Sequence, residues 1–200
     1  MDDLPELRDI HLPEPIGLFP LGYGFISSVC ILIFAALVFI AGHSIFAGDP
    51  AEGYWVSYDE KSGKVTAAWN FYVNNKNEME ATIVYSPDCH DSAVASSCKN
   101  LKGVKNFPKA GDLSTMKILH ETPWIFGLKK TSSGLWENGS IIDCGEGKIY
   151  NCKVTFAPAD GNKFKKDTLV MRGSIGPLGR NQFWLRPDAA IMEEIKKNER

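Results

Sequence analysis

The fold of this 200-residue chain is decided by the stretch Leu169-Val-Met-Arg172-Gly173-Ser-Ile-Gly176-Pro-Leu-Gly179-Arg180-Asn-Gln-Phe-Trp184-Leu-Arg186. Its two halves, 168–173 and 182–186, are rich in apolar residues with a period of two, which predicts two β-strands. The glycines between them predict a turn or bulges, because glycine adopts positive φ angles and permits close backbone approach. We therefore expect an antiparallel β-structure at this end of the chain.

The same period of two recurs along most of the chain after residue 50. The further predicted strands cover 54–58, 65–73, 78–85, 116–119, 124–126, 139–142 and 148–156. About nine short strands without intervening helices predict a mainly β, antiparallel barrel or sandwich over 48–187. Its expected core includes Trp69, Phe71, Trp124 and Phe126, and such a barrel can also enclose a small-ligand cavity. Pro187 and Asp188 then predict the start of a short C-terminal helix or tail over 188–200.

Charge separates the chain into two parts. The whole sequence has 22 Lys and Arg against 24 Asp and Glu, a net charge of −2, and 44% hydrophobic residues, which excludes wholesale disorder. From Pro15 to Gly48 there is no charged side chain, whereas both signs are mixed afterwards. No basic run exceeds a Lys-Lys pair, so nucleic acid is not an expected partner.

The apolar segment 25–47 predicts a membrane-spanning signal-anchor in contact with the lipid bilayer. It exceeds the roughly 20 residues needed to span and has no polar stripe. Its end, Ile45-Phe46-Ala47, is also typical of a cleavable secretory signal, which is the alternative. Arg8 is the only fixed positive side chain in the long acidic stretch before it, and this favours an uncleaved anchor.

The polar domain contains Cys89, Cys98, Cys144 and Cys152. An even number predicts two disulfides in an exported domain, with three possible connectivities. A Cys89–Cys98 bridge is the simplest tether for the long loop 86–112, and Cys144–Cys152 is the second candidate pair. The spacings lack the C-x2-C pattern of zinc sites, so we expect no metal and no cofactor. Because disulfides form in oxidising compartments, we expect residues 48–200 to lie outside the cytoplasm.

One pair of positions suggests how the barrel ends. Gly53-Tyr54-Trp55 opens the first strand, and Arg186 closes the last. This arrangement resembles the G-x-W and late Arg of lipocalin-like (calycin) barrels. The resemblance implies that Trp55 plugs one end of the barrel and that Arg186 packs over the indole. The alternative is a core tryptophan with an unrelated surface arginine.

Three motifs extend the resemblance. Trp136-Glu-Asn-Gly139-Ser-Ile-Ile-Asp143, Gly147-Lys-Ile-Tyr150 and the C-terminal stretch quoted above resemble the bacterial exported family called domain of unknown function 2147, over about residues 50–187. Met171 replaces the Val of the family pattern, and Cys144 stands where Pro is expected. The resemblance implies a bacterial exported protein. Combined with the predicted anchor and the cysteines, it leads us to expect a single-pass protein of the bacterial inner membrane with its C-terminal domain in the periplasm.

The N-terminal residues 1–24 resemble a different family. The run Leu7-Arg-Asp-Ile-His-Leu-Pro-Glu-Pro-Ile-Gly-Leu-Phe-Pro-Leu21 is similar to the start of the membrane family called domain of unknown function 4381. The basic cytoplasmic region that typically follows in that family is absent. Because the prolines prevent a continuous helix, we expect an extended segment with an unknown partner.

Few residue sets in the sequence suit catalysis. There is no G-x-S-x-G, H-E-x-x-H or P-loop pattern. Glu137 and Asp143 can be considered as an acid and base pair, but this spacing is more typical of a solvated strand edge. We therefore expect a protein that is not an enzyme.

Arginines on neighbouring strands suggest a binding role instead. Arg172, Arg180 and Arg186 can converge at a barrel mouth and hold an acidic headgroup, or they can pair with carboxylates and stack on Trp184. Arg172, Arg180 and Trp184 are thus the candidate ligand contacts. The leading prediction is a membrane-anchored extracytoplasmic binding module for a small amphipathic or acidic ligand. The alternative is a structural or interaction protein of the envelope with a filled barrel, no ligand and a protein partner.

Overall fold

The computed structural model describes residues 48–198, which form one closed antiparallel barrel and a C-terminal helix. The strands are β1 (Gly53–Tyr58), β2 (Val65–Val73), β3 (Glu78–Tyr85), β4 (Pro123–Ser132), β5 (Leu135–Asp143), β6 (Lys148–Ala157), β7 (Thr168–Ile175) and β8 (Leu178–Leu185), and the helix is α1 (Ala189–Asn198). Each strand pairs with the next, and β8 returns to β1. The mainly β, antiparallel barrel with a short C-terminal helix is therefore confirmed.

The barrel has eight strands rather than about nine. The predicted strand 116–119 is wrong, because this segment makes only single bridges, from Lys117 to Val94 and from Leu119 to Ile83. The predicted segments 1–24 and 25–47 lie outside the described residues. Within 48–198, no helix is long and apolar enough to cross a membrane.

Because all neighbouring strands are antiparallel, their connections alternate between two ends of the barrel. The closed end contains the start of β1 and the connections 74–77, 133–134 and 158–167. The open end contains the connections 59–64, 86–122, 144–147 and 176–177.

The seam between the first and last strands is short. β1 and β8 share one register pair, Val56 with Leu185, whereas β7 and β8 pair along their whole length. Helix α1 packs beside this seam, where Ile195 is fully buried against Val56, Ala68 and Val84. The predicted helix start is confirmed by Asp188, whose carboxylate accepts the Ile191 amide at 2.9 Å. The helix thus covers an apolar outer face of β1, β2 and β3.

The long connection 86–122 is built into the core rather than left as a free loop. It contains two short 3-10 turns, Ser96–Asn100 and Leu113–Thr115, and it buries Cys98, Leu113 and Leu119. The Phe107 ring lies 6.4 Å from that of Trp124 and 5.2 Å from that of Phe126. Apolar burial therefore holds this segment over part of the open end.

The two predicted disulfides are wrong for this structure, since all four cysteines are free thiols. Cys98 is fully buried, whereas the Cys89 thiol points to the His90 carbonyl at 3.7 Å. Cys152 lies four residues along β6 from Lys148, so at about 3.3 Å per residue it is about 13 Å beyond the turn that holds Cys144. A disulfide needs Cα atoms within about 7 Å, which excludes the Cys144–Cys152 pair.

Candidate functional site

A cavity of about 600 Å³ occupies the open end of the barrel. Its lining comes from β1, β2, β3, β5, β6, β7 and β8 and from the turn 144–147. This volume falls in the range of small-molecule sites, roughly 300–1,000 Å³. The barrel interior therefore leaves room for a ligand beside the segment 86–122.

Two stacked indoles form the apolar part of the cavity wall. The rings of Trp69 and Trp184 lie 5.2 Å apart at an interplanar angle of 22°, and Phe71 packs edge-on to Trp184 at 5.9 Å. Both indole N–H groups are satisfied: Trp69 donates to the Ser57 hydroxyl at 3.3 Å and Trp184 to the Gln182 side-chain carbonyl at 3.0 Å. The paired rings thus present a rigid aromatic surface whose polar atoms are already bonded.

Arg180 is the arginine that lines the cavity. Alternation along β8 directs Arg180, Gln182 and Trp184 to the same interior face. The guanidinium forms a two-point ion pair with Glu60 in the connection 59–64, and this pairing raises the pKa of Arg180 above its ordinary value. Both side chains are exposed, so the pair is weak and can exchange with an incoming anion.

The opposite side of the mouth is acidic. Asp143 and Glu146 line the cavity from the end of β5 and the following turn. The Asp143 carboxylate accepts the Gly145 and Glu146 amides at 2.9 and 3.0 Å, and Glu146 pairs with Lys148 at 2.9 Å, which lowers the pKa of Glu146. Because these carboxylates have local partners, they shape the rim without placing a bare charge in the cavity.

Of the two alternatives for the three arginines, convergence at one barrel mouth does not occur in the structure. Arg172 alternates with Met171 and Gly173, which line the cavity, so its side chain lies on the outer face and bonds Asn181 at 3.0 Å. Arg180 and Arg186 are six residues apart, about 20 Å along an extended strand, and lie at opposite ends of the barrel. Of the candidate ligand contacts, the structure brings Arg180 and Trp184 together and leaves Arg172 outside.

The closed end is sealed by the predicted pair of Trp55 and Arg186. Trp55 is fully buried, and the Arg186 guanidinium carbon lies 3.7 Å from the centre of its ring. Arg186 also donates to the carbonyls of Pro50, Glu52 and Tyr54 at 2.9, 2.9 and 3.2 Å. This contact, expected from the G-x-W resemblance, is confirmed, and burial lowers the pKa of Arg186.

Gly53 explains why the G-x-W motif begins with glycine. Its φ is +91°, and an added Cβ would lie 3.2 Å from the Arg186 Nη1 atom. Any other residue would be strained there and would crowd the guanidinium. The motif therefore places the backbone of β1 close enough for Arg186 to cover Trp55.

Asp49 also fastens the closed end, and the sequence reasoning missed it. Its carboxylate is almost fully buried, with 1% exposure, and pairs with Lys130 at 3.0 Å. It accepts the Ala51 and Gly134 amides at 3.0 and 3.2 Å, and the Asp49 amide donates to the Glu52 carboxylate at 2.6 Å. The Asp49-Pro-Ala-Glu52 spacing matches a capping box, which was the available sequence evidence.

Other titratable groups do not form a catalytic set in the described part of the chain. Glu137 pairs with Lys153 at 2.6 Å near the closed end, whereas Asp143 lies at the open end, so the two do not meet. Within 48–198, no group of three or more His, Cys, Asp or Glu side chains is arranged to hold a metal ion. Burial raises the pKa of the Cys152 thiol to about 12, and it also raises that of Cys144, with further contributions from Cys98, Asp143 and Cys89.

An eight-stranded closed meander, with an arginine stacked on a tryptophan at one end and a cavity at the other, defines the class of lipocalin-like barrels. A solved structure, protein HP1028 from the human pathogen Helicobacter pylori, is described as belonging to the lipocalin family and has a similar fold. The TM-score is 0.53 at 14% identity, covering 73% of this chain and 88% of that one. At this identity the likeness shows the fold alone.

The sequence also matches a family model over residues 53–186, described as an uncharacterized protein conserved in bacteria, DUF2147. The chain belongs to this family, as the three sequence motifs predicted. Among curated proteins, none matches the chain.

Proposed function

We propose that this protein is a binding module for a small amphipathic ligand, held in the cavity at the open end. The observation that carries the proposal is a cavity of about 600 Å³ that is apolar inside and polar at its mouth. The apolar body of the ligand packs on the stacked rings of Trp69 and Trp184 and on Met171. The lipocalin-like fold supports a binding role rather than an enzymatic one.

The polar group of the ligand lies at the mouth, near Arg180. An acidic headgroup replaces Glu60 on the guanidinium, because that ion pair is exposed and two-point pairing suits any carboxylate or phosphate. Gln182 and Tyr150 line the same region and offer further hydrogen-bonding groups. Arg172, on the outer face, has no part in this arrangement.

Native mass spectrometry of the full chain after mild extraction tests the proposal. We expect an additional mass that corresponds to a co-purifying amphiphile and that disappears on collisional activation. A clean mass of the chain alone, together with no uptake of added dodecanoate or dodecanol, would favour a filled barrel without ligand.

We further propose that the segment 25–47 anchors the chain in the bacterial inner membrane with the barrel in the periplasm. The uncharged length of this segment and the acidic residues before it support retention of the anchor. N-terminal sequencing of the protein from a membrane fraction tests this directly. A mature chain that begins at Gly48 would refute the anchor.

A second candidate, a protein-interaction role in the envelope, is favoured by one observation. The hairpin tip between β7 and β8 exposes Ile175 by 59% and Leu178 by 79%. Paired exposed aliphatic side chains at a tip are typical of contact surfaces. Analytical ultracentrifugation of the wild type and of Leu178→Lys tests whether this tip causes association.

A further inference from the structure

The outer surface beside the closed end carries an apolar and basic patch that the cavity does not use. We call it the Lys–Phe patch, and it consists of Lys163, Phe164, Lys165, Lys166, Phe183 and Leu185, which line a groove of about 470 Å³. Phe183 is 51% exposed, and its ring lies 6.2 Å from that of Phe164. Contacting aromatic rings that remain exposed indicate a surface that meets an apolar environment.

Three lysines lie around these rings. Among residues 48–198, none of Lys163, Lys165 and Lys166 forms an ion pair with a carboxylate. The two acidic residues of the same connection bond backbone amides: Asp160 accepts from Asn162 and Phe164, and Asp167 accepts from Ala159, each at 2.9 Å. These carboxylates keep their charge, so three Lys and two Asp give the connection 158–167 a net charge of +1. The patch therefore presents apolar rings beside three ammonium groups without a carboxylate partner among the described residues, and the Lys163 ammonium lies 5.2 Å from the centre of the Phe164 ring.

The chain preceding the barrel enters at this same end. Gly48 is followed by Asp49, whose carboxylate is fixed to the Gly134 amide and to Lys130 at the closed end. In the sequence, the apolar segment 25–47 ends immediately before Gly48. An anchor joined in this way holds the closed end at a high effective concentration near the bilayer surface.

We propose that the Lys–Phe patch binds the anionic headgroups of the bilayer in which the chain is anchored, an inference that rests on the proposed anchoring. Phe164, Phe183 and Leu185 enter the interfacial region, and the lysines extend to lipid phosphates. Charge complementarity favours this occupant, because anionic phospholipid headgroups and the lysines of the patch have opposite signs. The open end then faces away from the bilayer, and the cavity exchanges its ligand with the aqueous side.

Hydrogen–deuterium exchange of the full chain in lipid nanodiscs tests this contact. Discs of phosphatidylcholine alone are compared with discs that also contain phosphatidylglycerol. We expect the amides of 161–167 and 181–185 to exchange more slowly only in the discs with anionic lipid. Each lysine near such a surface contributes about a five-fold gain in affinity for anionic lipid. The triple variant Lys163→Gln, Lys165→Gln, Lys166→Gln therefore binds anionic lipid roughly 100-fold more weakly, and its amides lose the lipid-dependent protection from exchange.

The matched control is Lys99→Gln, Lys102→Gln, Lys105→Gln, which removes the same charge from the connection at the open end. It keeps the lipid-dependent protection of the patch. Equal exchange in both kinds of disc, for a chain that has inserted, would overturn the proposal and leave an acidic protein surface as the occupant. A chain that fails to insert into either disc refutes the anchoring instead, so the two failures are distinguishable.

Discussion

Arg186 shows how much of the barrel depends on single residues. Its guanidinium covers Trp55 and bonds three carbonyls in and before the first strand, while the strand seam beside it has one register pair. The side chain therefore connects the last strand to the first where the sheet itself does so least. Apolar burial of the indole and bonding of the carbonyls both depend on this one group.

We predict that Arg186→Ala destabilises the fold by about 1–3 kcal/mol, through lost stacking and unpaired carbonyls. Arg180→Ala removes only an exposed ion pair and leaves the stability close to that of the wild type. Urea unfolding of the two variants measures the difference. Equal midpoints for the wild type and Arg186→Ala would show that the pair does not close the barrel.

In the proposed function, Glu60 competes with an acidic ligand for Arg180. Glu60→Gln removes the competing carboxylate, so we predict up to about a five-fold gain in affinity for dodecanoate, the equivalent of one exposed ion pair. The affinity for dodecanol, which has no charge, stays unchanged. Calorimetric titration of both probes checks this, with Arg172→Gln on the outer face as the control. An equal gain for acid and alcohol would mean that Glu60 acts by blocking space.

At the scale of elements, residues 49–52 before β1 stabilise the closed end through Asp49, and this contribution to the free energy of unfolding depends on pH. Burial opposes the charge of Asp49, but the contacts with the Ala51 and Gly134 amides and with Lys130 outweigh it and lower the pKa of Asp49 below its ordinary value. A group whose pKa is lower in the folded state stabilises the fold above its unfolded pKa. This stabilisation is lost as the pH falls through the folded pKa.

Asp49→Asn is therefore expected to cost about 1–3 kcal/mol near neutral pH, where the charged hydrogen bonds are lost. The difference in the free energy of unfolding between the variant and the wild type becomes smaller as the pH is lowered below about 4, the ordinary range of an aspartate pKa. Urea unfolding at a series of pH values measures the free energy of unfolding of the wild type and of Asp49→Asn as a function of pH. A difference in the free energy of unfolding that stays constant down to acid pH would contradict stabilisation by the ionised Asp49 carboxylate.

The turn between β5 and β6 positions the cavity rim against the segment 86–122. Gly147 has a φ of +64°, and a Cβ there would lie 2.0 Å from the Ser97 carbonyl oxygen. Gly161 has a similar φ of +72°, but a Cβ there would have no atom within 4 Å. Its substitution therefore measures the cost of backbone strain without a steric clash. We predict that Gly161→Ala costs about 1 kcal/mol and Gly147→Ala about 3 kcal/mol or more. Thermal unfolding of both variants decides this, and equal losses would mean that the contact with Ser97 is not tight.

At the scale of the whole molecule, local patterns were enough to predict the barrel. The period of two placed its strands in sequence, and the G-x-W motif with Arg186 placed the closure, because the ends of a closed meander must meet. The alternation of residues along β8 also predicts that Arg180 and Gln182 face the interior like Trp184. The outward position of Arg172 could have been predicted in the same way, from its neighbours Met171 and Gly173.

Other features depend on contacts between distant residues, and local patterns do not contain them. Phe107 and Cys98 lie in a segment without periodicity, so their burial follows from packing against β4 and the core. The pairing of Arg180 with Glu60 requires the register of the β1–β8 seam, which the sequence does not specify. The separation of Cys152 from Cys144 follows equally from the strand register of β6.

The central claim is that the open-end cavity binds an amphiphile, and blocking that cavity tests it most directly. Gly173 lines the cavity, and a Cβ there would meet only the Tyr150 Cβ, at an ordinary 3.9 Å, so Gly173→Leu fits the backbone and fills the space. Ser174→Leu, one residue along on the outer face, is the matched control. The measurement is the titration of the three full chains with dodecanoate, followed by tryptophan fluorescence from the Trp69–Trp184 pair.

We predict saturable binding by the wild type and by Ser174→Leu, and an affinity at least about ten-fold lower for Gly173→Leu, which loses the apolar contacts of the ligand. Saturable binding of the same affinity by all three chains would contradict the account, because the ligand would then occupy another surface.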